Sequence, residues 1–197
     1  MFARLVAGVA AIAGTLLITP SHAQHQYPLS ESQEMLTGGA PTGKRYRLFG
    51  SSPVSKSTVN YAADHKPGTI VINTAERRLY YVLEGGSAIR YGIGVGRIGF
   101  TWKGVKTVTQ MKEWPAWTPP PQMLKRRPDL PRHMVGGIDN PLGARAMYLG
   151  SSLYRIHGSN EPETIGEAVS SGCFRMTNED VEDLYKRVRI GTTVIVQ

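Results

Sequence analysis

The sequence predicts a mainly β domain, an antiparallel sandwich or barrel, with one amphipathic helix near the C-terminus. From Gly68 onward, short runs of β-branched and aromatic residues alternate with turn material such as Gly85-Gly86. Only one segment, close to the end, has apolar residues at helical spacing. No internal repeat or heptad pattern is present. Short strands at this spacing indicate a sandwich or a barrel.

The strand signals occur in seven runs along the chain. They are TIVIN (69–73), RLYYVLE (78–84), AIRYGIGVG (88–96), VKTVTQ (105–110), AMYLG (146–150), LYRIHG (153–158) and TTVIVQ (192–197). The overlapping stretch GVGRIG (94–99) matches the spaced glycines of a dinucleotide-binding loop. That loop has to open a helix, whereas β-like sequence follows here, so we interpret the stretch as a turn between strands.

A proline-rich segment, residues 113–143, interrupts the strand pattern without a periodic pattern of its own. Such a segment inside a compact domain is typical of a lid or binding loop, or of disorder. Trp114 and Trp117 argue against disorder, so we predict a lid.

The helix is predicted over TNEDVEDLYKRVRIG (177–191). Thr177 or Asn178 can cap its start, and Gly191 follows a basic last turn. One face carries the apolar residues Val181, Leu184, Tyr185 and Val188.

The N-terminus has the three parts of a secretory signal peptide: Arg4, an apolar run over 5–18, and the small residues before a cleavage point near Ala23. The apolar run is shorter than the roughly 20 residues that span a bilayer, and no later segment is apolar enough. We therefore predict an exported, periplasmic protein without an integral membrane segment. Residues 1–23 are the signal peptide, 24–67 a polar leader, and 68–197 the folded domain.

The formal net charge is +8. A basic surface suits nucleic acid, anionic lipid or an acidic cell-wall polymer, or simply keeps the protein soluble. Nucleic acid is the weakest partner outside the cytoplasm, and no basic run interleaved with aromatic residues is present. We predict no nucleic-acid binding.

Cys173 is the only cysteine. Exported domains usually pair their cysteines, so an odd one indicates a reactive thiol or an intermolecular bridge. A thiol attacks as the thiolate, and an imidazole can accept its proton. His157, at a predicted strand end and followed by Gly158, is the candidate base. A metal site on Cys173 and His157 lacks a clustered third ligand, so we predict neither metal nor cofactor.

The residues around Cys173 fit acyl chemistry. The small residues of SSGC (170–173) let backbone N–H groups turn toward a substrate oxygen, as a developing oxyanion requires. Arg175 would share a face with Cys173 in an extended segment, where it could bind a carboxylate or form an ordinary surface salt bridge.

With His157-Gly158 and SSGCFRM (170–176), the chain resembles the L,D-transpeptidase catalytic domain family, also called YkuD. Trp102 departs from the pattern, since many members have proline there. The resemblance covers 68–197 through GTIVINTAERRLYYV, GIGVGRIGFTW, WTPPPQML, NPLGARAMYLG, IHGSNEPETIG and NEDVEDLYKRVRIGTTVIV, in order.

The resemblance implies an L,D-transpeptidase-type β-sandwich that acts on peptidoglycan stem peptides. It makes Cys173 the nucleophile, which attacks the third-residue carbonyl of a tetrapeptide stem and expels D-alanine. His157 would be base and acid, oriented by the carbonyl of Gly158. The remaining implied roles are the oxyanion N–H groups of Gly172 and Cys173 with Ser171 contributing, a stem carboxylate on Arg175, and substrate contacts at Asn160 and Trp117.

The resemblance leaves the acyl acceptor open. A stem amine would give a 3→3 crosslink, a lysine would attach an outer-membrane protein, and water would make the enzyme an L,D-carboxypeptidase or crosslink hydrolase. A non-catalytic peptidoglycan-binding module is the alternative outside enzymology. A carbapenem is expected to acylate Cys173.

Overall fold

A computed structural model describes residues 53–62 and 64–197. The predicted signal peptide, its predicted cleavage point and most of the predicted leader lie outside the described residues. The strands are β1 Ser57–Asn60, β2 Ile70–Asn73, β3 Arg78–Val82, β4 Ser87–Gly92, β5 Val95–Gly96, β6 Gly104–Glu113, β7 Arg145–Leu149, β8 Arg155–His157, β9 Ala168–Ser170, β10 Phe174–Arg175 and β11 Thr193–Val196. The helices are α1 Pro121–Arg126 and α2 Asn178–Tyr185, with a 3-10 turn at Pro162–Thr164. Every predicted run contains a strand, so the mainly β prediction is confirmed.

Nine of the strands form one sheet, in the order β1-β4-β3-β2-β11-β6-β7-β8-β10, and β5 pairs with β9. The expectation of purely antiparallel pairing is wrong at three places: β11 with β2, β10 with β8, and β5 with β9 are parallel. Parallel neighbours need long crossover connections, and in each of these pairs a long stretch of chain separates the two strands.

Strand β6 joins the two halves of the sheet. Its first residues pair with β11, its last residues pair with β7, and the β7 register shifts between Val108 and Gln110. A strand that changes partners at such an irregularity lets a sheet turn a corner and close over a core. Both halves contribute to one buried cluster, which includes Ile70, Leu79, Tyr91, Met147, Ile156, Phe174 and Val194.

Helix α2 packs on this core and begins where the sequence predicts. The Thr177 side chain accepts a hydrogen bond from the Asp180 N–H, so Thr177 is the N-cap. Val181 and Leu184 are fully buried. The helix ends at Tyr185, earlier than predicted, and Val188 reaches the core from the turn that follows, where its N–H still donates to the Leu184 carbonyl.

Asp180 is buried in the first turn of α2, and its Oδ2 has no hydrogen-bond partner within the described part of the chain. Burial raises the pKa of this carboxyl from 3.8 to about 6. The folded state holds the Asp180 proton more tightly than the unfolded state does. The contribution of Asp180 to the free energy of unfolding therefore becomes more favourable as the pH falls from above 6 to below 4.

We therefore expect Asp180→Asn to raise the free energy of unfolding at pH 8 by about 1–2 kcal/mol, less than the full pKa shift implies because a charge at the helix N-terminus is favourable. The gain should vanish near pH 4. Denaturant unfolding from pH 4 to 8 measures it, with the exposed Glu179→Gln in the same turn as the control. Equal stability of Asp180→Asn and the parent at pH 8 would contradict it.

The proline-rich segment has more order than the sequence indicates. It contains α1, which starts at a proline as first turns often do, and an isolated bridge between Trp117 and Met134. The buried Asn140 closes its end, because its Nδ2 donates to the Val135 carbonyl and its Oδ1 accepts from the Leu142 N–H, both at 2.9 Å. Motion of this segment as a lid stays a prediction.

The end of the predicted leader is attached to the sheet. Strand β1 pairs antiparallel with β4, and its residues alternate between half-buried and exposed. The Tyr61 ring stacks on that of Tyr80 with 4.9 Å between centroids. In the part of the chain that the structure describes, no helix has the length and hydropathy needed to cross a membrane.

Candidate active site

Strands β8 and β10 bring the sequence-predicted site residues together. The two strands run parallel, with Arg175 beside His157 in the register. Neighbours in register share a face, and alternation repeats that face every second residue. Cys173, which immediately precedes β10, therefore lies on the same face as His157 and Arg175.

The opposite face of these two strands belongs to the core. Ile156 is completely buried there, and Phe174, its partner in the register, is 1% exposed. The local fold therefore follows from the alternation of side chains. The apolar side chains of β8 and β10 pack into the core, and the polar side chains lie on the opposite face of the two strands.

His157 is held in one orientation by its own neighbour. Its Nδ1 lies 2.6 Å from the Gly158 carbonyl oxygen. A carbonyl only accepts, so Nδ1 carries the proton of the neutral ring and Nε2 has a free lone pair. A Cβ at position 158 would collide with the Asn178 Oδ1, which accepts a hydrogen bond from the Ala144 N–H, so a larger residue here would displace that contact.

The electrostatic surroundings keep this imidazole neutral. The pKa of His157 is lowered from 6.5 to about 3, mainly by burial and to a smaller degree by the positive charges of Arg175 and Arg155, while the hydrogen bond to Gly158 acts to raise it. A neutral ring with a free Nε2 is the form that a general base requires at neutral pH.

Cys173 is half-buried, and its Sγ lies 3.6 Å from the Leu153 carbonyl oxygen. Burial raises the pKa of the thiol, whereas interactions with Arg155 lower it. The resting site therefore pairs a thiol with a neutral imidazole.

An aromatic pair supports the turn before Cys173. Gly172 has a left-handed φ of 102°, and a Cβ there would approach the Tyr154 ring to 2.6 Å. The Trp102 Nε1–H donates to the Gly172 carbonyl at 3.0 Å, and the Trp102 ring stacks on Tyr154 at 4.7 Å. In the sequence, Trp102 was only a departure from the family pattern. In the structure it contacts the turn before Cys173 directly.

The backbone N–H groups that are predicted to bind an oxyanion differ in whether they already form a hydrogen bond within the protein. The Gly172 N–H donates to the Ser170 Oγ at 3.1 Å, and the Ser170 hydroxyl donates to the Cys173 carbonyl at 2.6 Å. Gly172 would have to release this bond before it could contact a substrate oxygen. Within residues 53–62 and 64–197, no such bond is found for the N–H of Ser171 or of Cys173.

Arg175 already binds a carboxylate of its own chain. Its Nη2 lies 2.6 Å from Glu161 Oε2 and 2.8 Å from Ser159 Oγ, and the side chain is 12% exposed. The guanidinium can therefore hold a carboxylate here, and Glu161 occupies it. Sequence reasoning missed Glu161 and Ser159, although both lie in the segment that follows His157-Gly158.

Asn160 contacts the proline-rich segment, and Trp117 lies within it. The Asn160 Nδ2 donates to the Asp139 carbonyl at 3.2 Å, which links the loop after His157 to the end of that segment. Trp117 pairs through its backbone with Met134. Their substrate contacts stay predictions. Among the residues described, no group of three or more His, Cys, Asp or Glu side chains is placed to hold a metal ion.

Comparison with known protein families gives a match over most of the described residues. The model of the YkuD family, the L,D-transpeptidase catalytic domain, matches residues 67–196. The Escherichia coli protein named "Probable L,D-transpeptidase ErfK/SrfK" is 41% identical over 134 residues, which are 64% of this chain and 42% of that protein. A Fuscovulum blasticum protein, named as an L,D-transpeptidase of the ATP synthase subunits region, is 31% identical across 98% of this chain and 95% of its own. The chain thus spans less than half of the Escherichia coli relative.

Solved structures share the fold. An L,D-transpeptidase from Mycobacterium smegmatis superposes with a TM-score of 0.53 at 17% identity, covering 66% of this chain and 58% of that one. The predicted L,D-transpeptidase-type sandwich is therefore confirmed. A Brucella melitensis protein described as a "Probable carnitine operon oxidoreductase" is 44% identical with a TM-score of 0.51, covering 75% of this chain and 96% of that one. Here GVGRIG leads into β6, not into a helix, so it lacks the context of a dinucleotide-binding loop.

Proposed function

The chain belongs to the L,D-transpeptidase catalytic domain family, and from this we propose that it is a peptidoglycan L,D-transpeptidase with Cys173 as its nucleophile. The observation that carries the proposal is the shared face of β8 and β10, where Cys173, His157 and Arg175 lie together. The neutral, oriented imidazole of His157 gives that face a base, and the guanidinium of Arg175 gives it an anchor for a carboxylate.

The first half of the reaction forms a thioester. His157 Nε2 takes the proton from Cys173 Sγ, and the sulfur attacks the carbonyl carbon of the third residue of a tetrapeptide stem. Backbone N–H groups at 171–173 stabilise the oxyanion of the tetrahedral intermediate. His157 then returns the proton to the departing amine, so D-alanine leaves and the stem remains bound as an acyl group on sulfur.

The second half transfers that acyl group to an amine. The acceptor amine attacks the thioester, its proton passes through His157 to the sulfur, and the thiol is restored. The acceptor is another stem, giving a 3→3 crosslink, or a lysine of an outer-membrane protein. The predicted signal peptide supports a periplasmic location, which would give the enzyme access to both kinds of acceptor.

Arg175 holds a carboxylate of the stem during these steps. Because Glu161 occupies the guanidinium in the free protein, the stem carboxylate has to displace it, and the exposed Glu161 side chain can swing into solvent. The Glu161 carboxylate then stands beside the bound stem.

Incubation of the purified protein with disaccharide-tetrapeptide, read by mass spectrometry beside Cys173→Ala, tests the proposal. A dimer lighter than two monomers by one alanine, absent from the variant, would support transpeptidation. Disaccharide-tripeptide without dimer would mean that water resolves the thioester, or that the acceptor is a protein. The absence of any cysteine-dependent product would favour a non-catalytic peptidoglycan-binding module.

Imipenem should acylate Cys173. An L,D-transpeptidase with this fold has been solved in complex with imipenem. Opening of the β-lactam ring would join its carbonyl carbon to Cys173 Sγ, so the intact mass should rise by one whole imipenem. The Cys173→Ala protein should keep its mass, and an unchanged mass of the parent after prolonged incubation would contradict the prediction.

A further inference from the structure

Arg155 is a cation whose charge acts on the Cys173 thiol, and sequence reasoning gave it no role. It opens β8 two residues before His157, and the parallel register, extended by one residue, places it beside Cys173. The Leu153 carbonyl oxygen joins the two side chains: Cys173 Sγ approaches it to 3.6 Å and Arg155 Nη1 donates to it at 3.2 Å.

The Arg155 guanidinium is fixed in place with an unused donor. It lies over the Tyr148 ring at 5.0 Å, and Tyr148 is also its register partner on β7. Its Nε is buried and has no hydrogen-bond partner in the part of the chain that the structure describes. A buried donor without a partner is costly, so an anion that forms within its reach would be stabilised.

Among the residues that the structure describes, the charged and titratable groups around the thiol leave one cation to stabilise an anion on its sulfur. On β8 and β10 they are Arg155, His157 and Arg175. The neighbouring segments add Arg97, whose N–H donates to the Ser170 carbonyl, and Lys106 of β6, which lies over the Trp102 ring. His157 is neutral, Arg175 is paired with Glu161, and Arg155 is the cation that lowers the pKa of Cys173.

We propose that Arg155 is a further catalytic residue whose guanidinium stabilises the negative charge on Cys173 Sγ after the proton has moved to His157 Nε2. In this step the S–H bond breaks, an N–H bond forms on His157, and the electron pair stays on sulfur. The same positive charge disfavours the imidazolium, so it also favours the return of the proton to the leaving amine. The proposal rests on the proposed function only in that Cys173 is the nucleophile.

Alkylation of Cys173 by iodoacetamide tests this without any peptidoglycan substrate. The thiolate displaces iodide, forms a bond from Sγ to carbon, and adds one carbamidomethyl group that intact-mass spectrometry follows over time. We expect Arg155→Gln to react at least about tenfold more slowly at pH 7, because an opposite charge within a few ångströms favours the thiolate by an order of magnitude or more. Its rate should approach that of the parent only at higher pH.

Lys112→Gln is the matched control. Lys112, on β6, has its Nζ 5.9 Å from the centroid of the same Tyr148 ring. This variant therefore removes one positive charge beside that ring and keeps Arg155. Its pH profile should equal that of the parent. Arg155→Lys keeps the charge without the planar fork, and its rate should fall between those of Arg155→Gln and the parent.

Equal pH profiles for Arg155→Gln and the parent would overturn the proposal, as would an equal slowing of Lys112→Gln. If Arg155→Gln does not fold by near-ultraviolet circular dichroism, the Arg155→Lys profile decides: a rate equal to that of the parent at every pH would count against a role for the guanidinium fork. Transfer activity that survives in Cys173→Ala would refute the proposed function but leave the alkylation result standing.

Discussion

Cys173→Ala is expected to abolish acyl transfer while the protein stays folded. The sulfur forms the bond to the acyl group, and no other thiol exists in the chain. Removal of a nucleophile that acts together with its base commonly lowers turnover by about 10⁴-fold or more, so the rate should fall to the assay background. The measurement is the rate of dimer or tripeptide formation from disaccharide-tetrapeptide.

The same variant should be nearly as stable as the parent. The Cys173 side chain is half-buried, and its Sγ forms a weak hydrogen bond to the Leu153 carbonyl. We expect the free energy of unfolding to change by no more than about 1 kcal/mol. Cys173→Ser is a closer match in shape and should also be inactive. Wild-type turnover in Cys173→Ala would end the proposal.

His157→Asn is expected to lower turnover by about 10²- to 10⁴-fold, the usual contribution of a general acid–base residue. Asparagine can place an N–H donor near the present Nδ1, so the hydrogen bond to the Gly158 carbonyl can be kept while the basic Nε2 is lost. The kcat of this variant and of the parent, measured with one stem substrate, checks the prediction. A kcat within threefold of the parent would mean that another group takes the proton.

Stability provides a second readout of His157. The folded-state pKa is about 3 and the ordinary value is 6.5, so the neutral buried ring stabilises the fold fully above pH 6.5, and this contribution is lost as the pH falls toward 3. The parent should lose up to about 1.4 kcal/mol per pH unit in that range relative to His157→Asn. Parallel stability curves for the two proteins would show that the histidine is not held neutral.

Local sequence signals predicted most of the sheet and the start of α2. The β-branched runs mark strands because their pattern is local, and Thr177 marks the helix start because capping involves residues three apart. Helix α1 was missed because its six residues bury no side chain, so no apolar face reveals it. The early end of α2 was not predicted, because Val188 continues the helical spacing of Val181 and Leu184. Val188 is buried as a helical residue would be, although it lies in the turn after the helix.

The parallel strand pairs were not predictable from local patterns. They join segments far apart in the chain, such as β2 with β11, whose register depends on the closed core. The same limit applies to the site. Cys173 and His157 could be proposed from residue chemistry and motif, whereas the roles of Arg155 and Glu161 depend on which residues the β8–β10 register and the following loop bring together.

The contacts that hold the base of the proline-rich segment have a consequence for how the specificity for an acyl acceptor can change in this protein. The Trp117–Met134 bridge and the Asn140 side chain hold the base of the segment through backbone groups. The stretch between Trp117 and Met134 can therefore vary in length and composition without disturbing the base of the loop. Strands β8 and β10 and this loop can thus diverge at different rates. Because the sequence predicts that the loop is a lid over the substrate, it is the natural place to exchange sequences between relatives when a change of acyl acceptor is wanted.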